Sequence, residues 1–221
     1  DIKKFKLLIE HRGIPTEKEL NYSIIKNERD GRKLLKKLKC SPYASLDVET
    51  TGLYPWDKGS KIISMGFGFK ECQVTIPLNH PEWEFDDHED WVQELLDDID
   101  EIIMRGKLKL IAHNGKFDTL WIRVMYRYKW DISFDTMLAH YILDENSRHG
   151  LDYLSQLYCN AYEYDIPLEE KTGNGPIDRH CKYLALDVYY TYRLYEIFSE
   201  MLRKDGEINR VFNKILVPCS N

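Results

Sequence analysis

YASLDVET, residues 43–50, decides how the rest of the chain is read. The run from Tyr43 to Val48 suits a buried strand that starts after Pro42, and Gly52 and Pro55 break it. Side chains alternate faces along a strand, so Asp47 and Glu49 come out on the same side. Two neighbouring carboxylates repel each other. Unless one takes up a proton or both turn into water, such a pair asks for a cation, and Mg²⁺ and Mn²⁺ prefer oxygen ligands. A lone D-x-E is more often a strand end facing solvent, so the rest of the chain has to supply the partners.

Working outward, KIISMGFGF (61–69) and ECQVTIPL (71–78) alternate like the two strands of a hairpin. LKLIAHN (108–114) is another buried strand, running into KFDTLWIRVMYRY (116–128), whose apolar positions fit a helix. Asn114 and Gly115 form the turn between them, and Asp118 stands at the helix start, where open α/β sheets bind ligands. An acid there also serves as a cap or complements the helix dipole. A short extended piece at 132–134 leads into a helix within FDTMLAHYIL (134–143), and a further helix covers 151–158. EYDIPLEEKTGNGP (163–176) reads as a loop, long enough to be a candidate for function. Asp178 is the expected N-cap of a long final helix reaching about Arg203, with Gly206 as its stop. Inside it Asp187 lies among Leu184, Ala185, Leu186 and Val188, where an acid wants a charge or a metal opposite it. Tyr183 is one turn earlier on the same face, a position usually filled for packing. Strands followed by alternating strands and helices predict an α/β fold, a mixed sheet flanked by helices.

Residues 1–40 read as an N-terminal appendage, with a capping box from Thr16 to Glu19, a strand-like run at 22–25 and the basic amphipathic helix RKLLKKLK at 32–39. The chain is a soluble globular mix, 43% hydrophobic and 31% charged. No apolar run is long enough for a membrane span, and the first residues do not form a signal peptide, so an intracellular, soluble protein without a membrane partner is expected. Five cysteines with no C-x-x-C spacing argue against disulfides and structural zinc. The net charge of −6 speaks against a nucleic-acid partner at first sight. Residues 82–101 alone hold 11 acids and no lysine or arginine, which leaves 31 basic against 26 acidic residues elsewhere. That acidic segment carries Trp91, Leu95, Leu96, Ile99, Ile102 and Ile103 at helical spacing and reads as a surface helix with a solvated face.

Each of these signals is weak alone; their order is not. DVETTGL (47–53), AHNGKFD (112–118), FDTMLAHYIL (134–143) and YLALD (183–187) together resemble the 3′-to-5′ exonuclease (proofreading) domain of family A DNA polymerases. This is the DEDD exonuclease superfamily, in its subclass with tyrosine in the last motif. The resemblance covers about residues 40–205, with SRHGLDYLSQLY (147–158) similar to the family's segment between the later motifs. It implies an RNase H-like fold for residues 41–205 and two divalent cations, Mg²⁺ or Mn²⁺, held by Asp47, Glu49, Asp118 and Asp187. It further implies that Tyr183 orients the attacking water, a role that suits a hydroxyl whose ordinary pKa is near 10. Thr50, Leu53, Asn114 and Arg148 take the positions of substrate contacts, Leu53 as an apolar wedge beside the terminal base. The implied substrate is a single-stranded or frayed 3′ end of DNA. VFNKILVPCSN, within 206–221, looks like the start of a polymerase region in the same chain. An RNase D-like or helicase-associated exonuclease would use the same motifs, and a non-catalytic nucleic-acid-binding module is the remaining alternative.

Overall fold

A computed structural model describes residues 20–83, 89–161 and 166–221 of the protein; the expected capping box at Thr16–Glu19 lies outside them. Six strands form one mixed sheet: β1 (Tyr22–Ile24), β2 (Tyr43–Thr50), β3 (Ile62–Gly68), β4 (Gln73–Pro77), β5 (Lys109–Ala112) and β6 (Ile132–Asp135). Their order is β1-β4-β3-β2-β5-β6. β3 and β4 pair antiparallel as the expected hairpin and β2 joins β3 antiparallel, while β2–β5, β5–β6 and β1–β4 are parallel. β3 and β4 are buried along their whole lengths, as strands covered on both faces must be.

One face of the sheet carries Leu46, Val48, Met65 and Phe67 into a core with α1 (Glu28–Cys40), α2 (Glu89–Met104) and α3 (Gly115–Tyr126). α1 starts at Asn27, whose side chain accepts from the Asp30 N–H, and it buries Leu34, Leu35 and Leu38 while Arg32, Lys33 and Lys36 face water. Residues 20–40 thus share the sheet through β1 and the core through α1. α2 is the acidic helix. It buries Leu95, Leu96, Ile99, Ile102 and Ile103 and leaves Glu94, Asp98 and Glu101 exposed. Two of its acids also tie the fold, Asp97 accepting from the Tyr128 hydroxyl at 2.5 Å and Asp100 from Trp130 Nε1 at 2.9 Å.

The other face packs on α7 (Ile177–Arg203), with α4 (Thr136–Leu143) and α5 (Leu151–Cys159) beyond it, the last two where the sequence placed them. Three local expectations are corrected. The stretch 163–176 contains a helical turn, α6 (Leu168–Lys171), begun after Pro167. α7 is preceded by Pro176 rather than capped by Asp178; proline's fixed φ prepares the turn, and Asp178 sits in the first turn, facing the positive end of the helix dipole. Gly206 does not stop α7. The helix ends at Arg203 because Asp205 turns extended and its side chain accepts from the N–H groups of Glu207 and Ile208, so Gly206 opens α8 (Gly206–Val211). A π-helical turn (Phe212–Leu216) and α9 (Val217–Ser220) follow, with Phe212 fully buried against Phe134, ring centroids 4.8 Å apart. Among the described residues no helix is long and apolar enough to cross a membrane, and all five cysteines are free thiols.

Candidate active site

The face of β2 turned toward α7 carries Ser45, Asp47 and Glu49, because the other alternation, Ala44, Leu46 and Val48, is taken by the α1–α3 core. Across the ladder their partners are all small: Ser45 faces Gly68, Asp47 faces Gly66 and Glu49 faces Ser64. A helix can therefore come close. Leu184 and Val188 of α7 lie over Gly66, Ser64 Oγ and His180 Nε2 share a hydrogen bond of 2.7 Å, and Ser45 Oγ donates to the Val188 carbonyl at 2.6 Å. The sheet register shifts between Glu49 and Thr50, an irregularity of the kind that ends strand pairing beside functional sites.

This packing brings Asp187 to the strand acids. Carboxylate oxygens of Asp47, Glu49 and Asp187 lie within 4.8 Å of one another. Asp118 stands outside that group of three but is held against the same strand: its Oδ1 accepts from the Val48 N–H at 3.0 Å. The turn before it is fixed by Asp135, whose two oxygens accept from the N–H groups of Asn114 (3.2 Å), Gly115 (2.8 Å), Met137 (2.9 Å) and Leu138 (3.2 Å). Asn114 takes the left-handed conformation there, φ 61°, which asparagine tolerates better than most residues.

Burial, with the charges of Asp118, Asp187 and Glu49, pushes the Asp47 carboxyl well above the ordinary range. Burial likewise raises Asp118, against the opposing pull of the Val48 N–H, with Asp135 and Asp187 adding to the rise. The site therefore favours bound protons or bound cations over free carboxylates. An all-oxygen donor set of at least three acids within this span fits a hard divalent cation. Tyr183 is buried beside them, and its hydroxyl is raised above 10 by burial first, then by Asp187, Glu49 and Asp47.

The other expected contacts are placed as follows. Thr50 is buried, its hydroxyl donating to the Gly52 carbonyl at 2.8 Å; Leu53 is 72% exposed; Asn114 is exposed and makes no capping bond through its side chain; Arg148 is exposed between α4 and α5. Two features escaped the sequence. Lys171 on α6 holds its ammonium 4.8 Å from the centre of the Tyr183 ring, and its charge acts on Asp47 to favour the ionised form. The length of the stretch 163–176 marks it as a candidate for function, but no hydrophobic period within it singles out Lys171. The second is Gly66 and Gly68, where G-F-G within a strand was a legible signal of close backbone approach.

The chain is 27% identical over 220 residues to DNA polymerase I of Borreliella burgdorferi, covering 95% of this chain and 22% of that protein. It is 29% identical over 199 residues to the DNA polymerase of Bacillus phage SP01, covering 83% of this chain and 21% of the relative. The chain thus spans about a fifth of the length of these relatives. Among solved structures, the catalytic core of RRP6 from Trypanosoma brucei superposes with a TM-score of 0.68 at 12% identity, over 90% of this chain and 52% of that one, a likeness of fold alone. The fold is the RNase H-like α/β architecture expected from the motifs. Residues 22–203 match the 3′-5′ exonuclease family, and with DNA polymerases among its relatives the chain belongs to the 3′-5′ exonucleases of family A DNA polymerases.

Proposed function

We propose that the protein removes nucleotides from the 3′ end of DNA by metal-dependent phosphodiester hydrolysis, trimming mispaired termini for a polymerase region of the same chain. The convergence of Asp47, Glu49 and Asp187 within 4.8 Å, from a strand and a helix more than 130 residues apart in the chain, carries this reading. Those three and Asp118 would hold two divalent cations, Mg²⁺ or Mn²⁺. When bound, such cations activate water for attack on the phosphorus and stabilise the departing oxygen. The chain's own residues do the positioning. Tyr183, with its pKa raised, keeps its proton at neutral pH and serves as a hydrogen-bonding group that orients the attacking water, not as a base. Lys171 adds a positive charge beside an otherwise acidic pocket, which favours the approach of a phosphate. Leu53, exposed at the start of the loop that leaves β2, wedges against the terminal base, while Thr50, Asn114 and Arg148 contact sugar and phosphate. None of these contacts reads sequence, as removal of any terminus requires.

The test is incubation of the protein with 3′-labelled single-stranded DNA and Mg²⁺, with and without EDTA. Labelled mononucleotide is expected with Mg²⁺ and none with the chelator; release that survives EDTA refutes the metal-dependent mechanism. The same assay on an RNA strand of equal sequence decides which sugar is preferred. Tyr183→Phe is expected to slow turnover by up to about 10²-fold, the scale of a misplaced reactant, while Mn²⁺ titration midpoints stay where they are. A shifted midpoint with normal turnover would move Tyr183 from orienting water to supporting the ligands.

A further inference from the structure

Eight large hydrophobic side chains are exposed among the described residues, and three of them, Leu53, Tyr54 and Trp56, stand together in the loop that leaves β2. Only Leu53 has a place in the function above. Tyr54 is 53% exposed and Trp56 65%, yet their rings stack on each other, centroids 5.6 Å apart and planes inclined by 27°. The pair is mounted on an ordered loop. Pro55 between them is buried. The Tyr54 carbonyl accepts from the Asp57 N–H (3.3 Å) and the Ser60 hydroxyl (2.8 Å), and Thr51 and Lys61 clamp the base of the loop by N–H bonds of 3.1 and 3.0 Å. Leaving two aromatic rings in water on a loop braced this way does nothing for the core.

Trp56 is six residues past Thr50, so even a fully extended chain keeps it within about 20 Å of the end of the strand that bears Asp47 and Glu49. A flat aromatic face accepts any of the four bases, because every base has a π-face. Lys58 and Lys61, on the same loop, offer positive charge for the backbone of such a strand. We propose that Tyr54 and Trp56 form a stacking platform for nucleobases of single-stranded DNA next to the terminal nucleotide, so that this loop sets how firmly a frayed strand is held. The proposal rests on the exonuclease reading for its substrate and adds a binding site outside the carboxylate pocket.

The test separates binding from chemistry. Binding of a fluorescein-labelled ten-residue oligothymidylate is measured in EDTA by anisotropy for the wild type, the double variant Tyr54→Ala/Trp56→Ala, and Trp56→Phe, with an abasic strand of equal length as control. The double variant is expected to bind the oligothymidylate about 10- to 100-fold more weakly, Trp56→Phe to stay within about 5-fold of wild type, and the abasic strand to bind all three alike. With Mg²⁺, the double variant should raise KM for the oligonucleotide with little change in kcat. Hydrolysis of thymidine 5′-monophosphate p-nitrophenyl ester, which has no neighbouring base, should not change. Equal oligothymidylate affinity in wild type and double variant overturns the platform. A wild type that binds by these rings but releases no nucleotide keeps the platform and sinks the exonuclease reading instead.

Discussion

Asp118→Ala is expected to lower nucleotide release by about 10³-fold, the loss typical when one fixed electrostatic group is taken from an active site, and to leave the protein folded. Asp118 is pinned by the Val48 N–H at 3.0 Å, which fixes its carboxylate against the strand that bears Asp47 and Glu49. Alanine also leaves that N–H without its partner, at roughly 1–3 kcal/mol. Asp118→Asn controls for this, since the amide oxygen still accepts the bond while the charge is gone. Unchanged turnover in either variant removes Asp118 from the chemistry.

The asparagine variant makes a second, opposite prediction for stability. A carboxyl raised on folding is better protonated in the native than in the unfolded state, so its stabilising contribution is full below the unfolded value near 3.9 and is lost as pH rises through the folded one. Asp47 and Asp118 are both raised. Without a divalent cation, Asp118→Asn should therefore melt a few degrees above wild type at pH 8, with the gap closing toward pH 4; about 1 kcal/mol corresponds to ~2–4 °C for a chain of this size. Mg²⁺ should raise the wild-type Tm and do little for the variant. Coincident melting of the two metal-free proteins at pH 8 would show that the acids do not repel.

Much of this was open to the sequence because the decisive residues lie on regular elements. Period two placed Asp47 and Glu49 on one face of β2, and the period of the helix placed Tyr183 and Asp187 together on α7. Their convergence needed a family resemblance, since neither period says which strand a helix crosses. Lys171 was hidden because a single helical turn in an otherwise irregular stretch has too few residues to show a pattern, and its place over the Tyr183 ring is a tertiary fact. The end of α7 near Arg203 was legible, but its cause was misread. Glycine is a common helix stop, but Asp205 one residue earlier caps the next helix, and side-chain capping outweighed the glycine preference.

The glycine pair in β3 tests whether the site depends on how closely α7 approaches the sheet, and Gly68→Ala is the sharper variant. A Cβ at Gly68 would stand 2.2 Å from Ser45 Oγ, 2.6 Å from the Val188 carbonyl oxygen and 2.9 Å from its carbon. The hydroxyl could rotate away; the backbone of a packed helix turn could not. At Gly66 the nearest atoms are side-chain carbons, Leu184 Cγ at 2.9 Å and Val188 Cγ1 at 3.0 Å, which have rotamers to change. Overpacking costs typically 1–3 kcal/mol and more when backbone must move, so urea unfolding should place Gly68→Ala about 3 kcal/mol or more below wild type and Gly66→Ala about 1–2 kcal/mol below. Ser45→Ala added to Gly68→Ala should restore only part of the loss, because the Val188 carbonyl remains in the way. Relief of the clash requires α7 to move outward, and α7 carries Asp187 and Tyr183 while β2 carries Asp47 and Glu49. Whatever Gly68→Ala protein folds should therefore also lose the rise in Tm with Mn²⁺. Wild-type stability together with a normal Mn²⁺ response would mean that the helix has slack over the sheet, and that the carboxylates meet without needing the narrow seat the two glycines provide.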